Sequence, residues 1–172
     1  TLFLLLLFYS TISLSQGIIV DTTSLGIPEL IREELMKNAC ANESNFKFSS
    51  HQGIGKFTST NPNFPISSGI IIRNGIAKYT EGIYTAANES SQLNTANDAD
   101  LQAISDSNGQ IVPITDVSYI QFDFTPLSSN FSFDFLFASN EYGEFQCGFS
   151  DVFAFILTDL TVQGPPINLA VV

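Results

Sequence analysis

The stretch FSFDFLFASNEYGEFQCGFSDVFAFILTD, residues 131–159, sets the structural class of this chain. Phe131, Phe133, Phe135 and Phe137 alternate with Ser132, Asp134 and Leu136, the period-two pattern of a strand with one buried face. Val152 to Leu157 is apolar throughout, as expected of a strand buried on both faces. Between them Glu141, Tyr142, Glu144, Cys147 and Asp151 gather polar chemistry in one loop.

Working outward, the same β language fills most of the chain. Tyr119 to Phe124 alternates, and Pro126 to Asn130 forms the turn into the Phe-rich strand. Phe46-Lys47-Phe48-Ser49 alternates as well. Gly69 to Arg73 is a strand ending at the turn pair Asn74-Gly75, and Ile18 to Val20 is a short first strand. Ile111 to Ile114 resumes order after residues 80–110, a polar region long enough to be read as a functional loop. One segment, SLGIPELIREELMKN, is helical. Pro28 fits its first turn, Glu29, Glu33 and Glu34 favour its N-terminal half, and Lys37 sits in its last turn. Leu30, Ile31 and Leu35 give it an apolar stripe for packing. The pattern predicts a mainly β fold, a β-sandwich of jelly-roll type with one N-terminal helix.

The first residues, TLFLLLLFYSTISLS, are apolar but too short to span a bilayer as a helix. They read as the hydrophobic region of a signal peptide over residues 1–15, lacking its basic n-region, with Ser13-Leu14-Ser15 as the cleavage site. A buried core strand is the alternative, and the run of leucines without alternating polar residues disfavours it. The domain then occupies residues 16–172.

All six bases lie before residue 79, whereas Tyr79 to Val172 carries twelve carboxylates and no Lys or Arg. Such a surface repels nucleic acid and anionic lipid, because phosphate contacts and counterion release are not open to it. The abundance of Phe, 16 residues, marks a globular chain and not an acidic disordered tail. Cys40 and Cys147 suit an exported protein with one disulfide closing about 107 residues, a constraint of roughly 4–5 kcal/mol on the chain-entropy account. Two free thiols, or pairing with another chain, are the alternatives. No zinc spacing is present, and His51 stands alone.

Several pieces resemble the choice-of-anchor L domain family of exported bacterial proteins. They are SNFKFSS followed by GIGKF, NFPISSGIII, NDADLQAI, the long segment IQFDFTPLSSNFSFDFLFASNEYGEFQCGFSDVFAFILTD, and NLAVV. The most specific portion is FLFAS-x-EY with DVFAF. The resemblance implies secretion and display at the cell surface in Bacteroidota-type cells, commonly through type IX secretion, with work in adhesion or gliding. It implies no defined activity. Relatives continue with a Pro-Gly-containing stretch where this chain stops at Val172, so the domain is expected to be cut short there.

The acids offer the best candidate chemistry. Asp98 and Asp100 sit in the Asn-Asp-Ala-Asp segment, and Glu141 and Asp151 flank the core strands. Calcium takes six to eight hard oxygen ligands, and carboxylates, Asn side chains and loop carbonyls supply them. The spacing is not that of an EF-hand, and the competing reading is solvated loop acids or caps bonding their own backbone. A partner on the outside of the cell, an extracellular ligand or surface polymer such as a carbohydrate, would use exposed aromatics, and Tyr84 and Tyr142 are the candidate platforms. Glu141 with Glu144 or Asp151 resembles a glycosidase acid pair by residue type only. His51 lies in a turn-like Ser-His-Gln-Gly, and no nucleophile elbow occurs. Catalysis is therefore the minority reading, with a calcium-dependent carbohydrate-binding module or an exported glycoside hydrolase domain as the rivals to a binding module. Sequons at Asn42, Asn88 and Asn130 are incidental in a bacterial chain.

Overall fold

The protein was analysed as a computed structural model, which describes residues 17–37, 39, 41–82, 90–107, 109, 112–139, 151–162 and 164–170. The first strand, β1 (Ile18–Asp21), leads into helix α1 (Ile27–Leu30), with Pro28 in the opening turn. That helix continues as a π turn through Ile31–Leu35. Strand β2 (Ala41–Phe48) follows, then a short 3-10 turn at His51–Gly53, β3 (Ile54–Ser59) and β4 (Ser68–Ile72). A 3-10 turn (Ala77–Thr80) and a second helix, α2 (Ala99–Ser107), precede β5 (Ile120–Pro126). Two short strands, β6 (Ile156–Leu157) and β7 (Ile167–Asn168), complete the order.

All pairing among the described strands is antiparallel. A three-stranded sheet has the order β1-β3-β4, with Val20 opposite Phe57 and Gly55 opposite Ile71. A second sheet pairs β2 with β5, and a third pairs β6 with β7. Between Ser44 and Lys47 the β2 register slips, and Asn45 takes a left-handed φ of 53°. Its amide donates to Asp123 Oδ2 at 2.6 Å, which satisfies the bulge locally.

The core sits where α1 packs on both larger sheets. Ile27, Leu30, Ile31 and Ile54 are buried, and Leu25, Met36, Phe46, Phe48, Ile70, Ile120 and Phe122 pack around them. Each such side chain taken from water contributes about 1.5–3 kcal/mol. Polar ties fix the helix in place. Arg32 Nε donates to Glu43 Oε1 at 2.8 Å, and its guanidinium lies 4.8 Å over the Phe46 ring. Gly55 is required by close approach, since a Cβ there would lie 2.8 Å from the Asp21 carbonyl oxygen. Among the described residues no helix is long and apolar enough to cross a membrane.

The class is mainly β, as expected, and the N-terminal helix is a packing helix. Several expectations need correction. Among the described residues the strands form small antiparallel sheets of two or three strands. The helix near the start is not alone, because α2 lies within the region read as an irregular loop. Asp98 explains it: its Oδ1 accepts the N–H groups of Asp100 and Leu101, both at 3.0 Å, and so starts the helix. Leu35 is 41 % exposed and falls off the apolar stripe, because the backbone shifts to π geometry after Leu30. Ile111 lies outside the described residues, and Val112 to Ile114 form no strand.

The largest correction concerns the Phe-rich stretch. Residues 131–139 form no hydrogen-bonded strand, and Phe131, Phe135 and Phe137 are exposed. The Val152–Leu157 run is regular only at Ile156 and Leu157, with Phe153 exposed. The layer that covers Phe46, Phe48 and Phe122 is α1 with β3 and β4, and it does not extend over these later rings.

Candidate functional site

The polar half of the molecule is ordered by short side-chain loops that bond their own neighbourhood. Asp116, at a left-handed φ of 53°, accepts the N–H groups of Leu93 and Asn94 at 2.7 and 2.8 Å. Thr95 Oγ1 donates to the Val117 carbonyl at 2.8 Å, and Ser91 Oγ accepts the Ile76 N–H at 2.8 Å. The segment before α2 is thereby strapped to the turn after β4 and to the approach to β5. From that same turn Asn74 Nδ2 donates to Asp151 Oδ1 at 2.8 Å, tying residue 151 to a position 77 residues earlier.

Asp151 is held up from the ordinary carboxylate range by partial burial, against which the Asn74 hydrogen bond works. It stands at the entrance of the second Phe segment. There the rings form a ladder: Phe133 stacks on Phe155 at 4.0 Å and 28°, Phe135 lies 5.7 Å from Phe153, and Phe137 lies 5.8 Å from Phe153. A second run of rings links Phe46 to Phe122, Phe122 to Phe124, and Phe124 to Phe131 at 5.3 Å. Here the aromatic pattern of the sequence becomes a surface.

The acids proposed as calcium ligands take separate local roles where the structure describes them. Asp98 caps α2, Asp100 lies exposed in its first turn, and Asp151 pairs with Asn74. Glu141 lies outside the described residues, as do Tyr84, Tyr142, Glu144, Cys40 and Cys147. Among the described residues no three His, Cys, Asp or Glu side chains group as metal ligands would. His51 lies exposed in its 3-10 turn with its ring edge-on to Phe48 at 4.8 Å.

Two polar features were not singled out from sequence. Glu34, its side chain only 6 % exposed, meets Lys56 Nζ at 2.5 Å and Lys37 Nζ at 3.6 Å, and accepts from Ser68 Oγ at 3.2 Å. Burial pulls its pKa up, but the Lys56 hydrogen bond and the charges of Lys37 and Lys56 outweigh that and hold it below the usual Glu value. Beside this pair a cleft of about 400 Å³ opens, with Ile19, Leu25, Leu30 and Ile54 as apolar lining and Asp21, Glu33 and Lys56 as charged groups. Asp21 closes its own turn: the Ser24 hydroxyl and the N–H groups of Thr23 and Ser24 hold it well below the carboxylate range. Glu34 sits on the predicted helix, but the sequence assigns it no partner until helix and sheet meet.

No curated protein and no solved structure matches the chain. A family model, the choice-of-anchor L domain, matches residues 19–172, nearly the whole chain. That family is not a known catalytic one, and its name marks an exported or surface-anchored module. With the FLFAS-x-EY and DVFAF segments inside the matched span, the chain belongs to the choice-of-anchor L domain family.

Proposed function

We propose that this chain is a secreted or cell-surface module that binds and does not catalyse, serving adhesion, gliding or the capture of an extracellular ligand. The observation that carries the reading is the family match over residues 19–172. The exposed rings of Phe135, Phe137 and Phe153, which lie against one another, support it, since an apolar patch on a chain of net charge −11 suits contact with another molecule. Export would bring the chain into an oxidising compartment, where Cys40 and Cys147 would form one bridge. Testing it needs the tagged chain in a Bacteroidota-type host. Protease added to intact cells should remove the tag. A tag that is cleaved only after lysis would overturn the reading.

A second reading is a calcium-dependent carbohydrate-binding module or a domain of an exported glycoside hydrolase. What favours it is Asp151, a carboxylate set partly away from water at one end of the stretch containing Glu141 and Tyr142. Calcium held by Asp98, Asp100, Glu141 and Asp151 would offset their mutual repulsion, with Tyr84 and Tyr142 as sugar platforms. Glycan-array binding that disappears with chelator would favour this second reading over the first.

A further inference from the structure

The rings of residues 133–137 meet those of 153 and 155: Phe133 stacks on Phe155, and Phe135 and Phe137 both lie against Phe153. Phe133 and Phe135 present their rings on one side, 6.1 Å apart. Residues 131–137 nevertheless belong to none of the sheets formed by the described residues. Exposure is high on both sides of the segment: 49 % for Phe131, 44 % for Phe135 and Phe137, and 54 % for Leu136. A segment outside any sheet of the described residues, with exposed alternating rings, is what strand addition takes up.

We propose that residues 131–137 form a docking edge for an extended segment of a partner protein in which apolar residues alternate with Lys or Arg. The proposal deepens the reading as a surface binding module and rests on it. Apolar side chains of the added strand would extend the Phe ladder, which carries no charge. Every second residue would fall on the other side, beside the exposed carboxylate of Asp134. Among the described residues no ion pair is made to Asp134, and the sequence has no Lys or Arg from Tyr79 to Val172. Opposite charges paired across strands stabilise, and like charges directly opposite destabilise.

That rule also argues against a second copy as the occupant. The sequence Phe-Ser-Phe-Asp-Phe-Leu-Phe is centred on Asp134, so two copies pairing antiparallel about that centre set the carboxylates against each other. A partner of opposite sign removes the conflict and gains attraction from the acidic surroundings.

The test uses the full chain and three labelled nine-residue peptides read by fluorescence anisotropy. One alternates Val and Lys, one alternates Val and Glu, and one has the Val-Lys composition with its lysines grouped at one end. Expected is binding of the alternating basic peptide at least tenfold tighter than either other. Phe135→Ser and Phe137→Ser should each weaken it several-fold, and Asp134→Lys should reverse the preference toward the Glu peptide. These positions are exposed, and circular dichroism of each variant checks that the fold is kept. Equal binding of the grouped and alternating basic peptides overturns the proposal, since net charge would then suffice. So does an unchanged preference in Asp134→Lys, or a concentration-dependent dimer in sedimentation with no peptide bound. Any of these outcomes with the tag still cleaved on intact cells removes the docking edge alone. A tag protected on intact cells removes the surface module instead.

Discussion

Lys56 Nζ lies 2.5 Å from Glu34 Oε1, and this pair joins the helical segment to the middle strand of the β1-β3-β4 sheet. Glu34 is nearly enclosed while Lys56 keeps 36 % of its side chain in water, so screening limits what the pair contributes. Glu34→Gln should cost about 1–2 kcal/mol in urea unfolding at neutral pH. The sign with pH follows from the lowered carboxyl. Its stabilisation is complete above pH 4.5, the ordinary Glu value, and is lost as pH falls through the lower folded value. Asp151, raised by burial, works the other way: it favours the folded state at low pH, and that gain is lost as pH rises from 3.8 through its higher folded value. Stability measured from pH 6 downward should therefore fall less steeply in Glu34→Gln than in the parent chain. An unchanged slope would remove this pair from the acid response.

Gly55→Ala should destabilise although it adds only a methyl group. The new carbon would lie 2.8 Å from the Asp21 carbonyl oxygen and 3.0 Å from Thr22 Cγ2, and β1 would have to move away from β3. Overpacking of this kind costs about 1–3 kcal/mol. A thermal melt with no drop would show that β1 shifts freely.

The two kinds of apolar residue should separate in unfolding experiments. Ile31→Ala opens a cavity in the core, where Ile31 is fully buried, and should cost about 2–5 kcal/mol. Phe135→Ser, at 44 % exposure, should cost less than about 1 kcal/mol. Equal losses would mean that the Phe-rich stretch is enclosed in solution.

Calcium remains a specific expectation. If Asp98, Asp100, Glu141 and Asp151 share an ion, the thermal midpoint should rise with millimolar calcium and fall with chelator. Asp100→Asn combined with Glu141→Gln should abolish the response. A midpoint indifferent to calcium in the parent chain leaves these acids as caps and surface groups.

The Cys40–Cys147 bridge is checked by peptide mapping with and without reductant. A linked peptide should appear only in the unreduced sample, and reduction should lower stability by roughly 4–5 kcal/mol on the chain-entropy account. Free thiols titrating at both positions in protein purified from the oxidising side of the membrane would exclude the bridge.

Much of the fold was legible because its signals are local. Pro28 followed by acids and the Leu30-Ile31 pair announces a packing helix, and alternation in residues 46–49 and 119–124 announces β2 and β5. Asn74-Gly75 ends β4 where expected. Helix α2 was missed because its pattern is weak and Asp98 reads equally as a ligand or a cap. The backbone N–H groups of Asp100 and Leu101 show the capping role, and only the folded segment brings them to one oxygen.

Amino-acid order alone established the β class, the acidic half without a base, and the family to which the chain belongs. The fate of the phenylalanines came from tertiary packing. Phe46 and Phe122 recur in a period of two with neighbouring Phe residues as Phe135 and Phe137 do, yet the first pair packs against the helix core and the second faces solvent. A period of two states which side of a strand a residue takes. Whether another layer lies over that side depends on how far α1 and the neighbouring sheet reach, which is a property of the assembled fold.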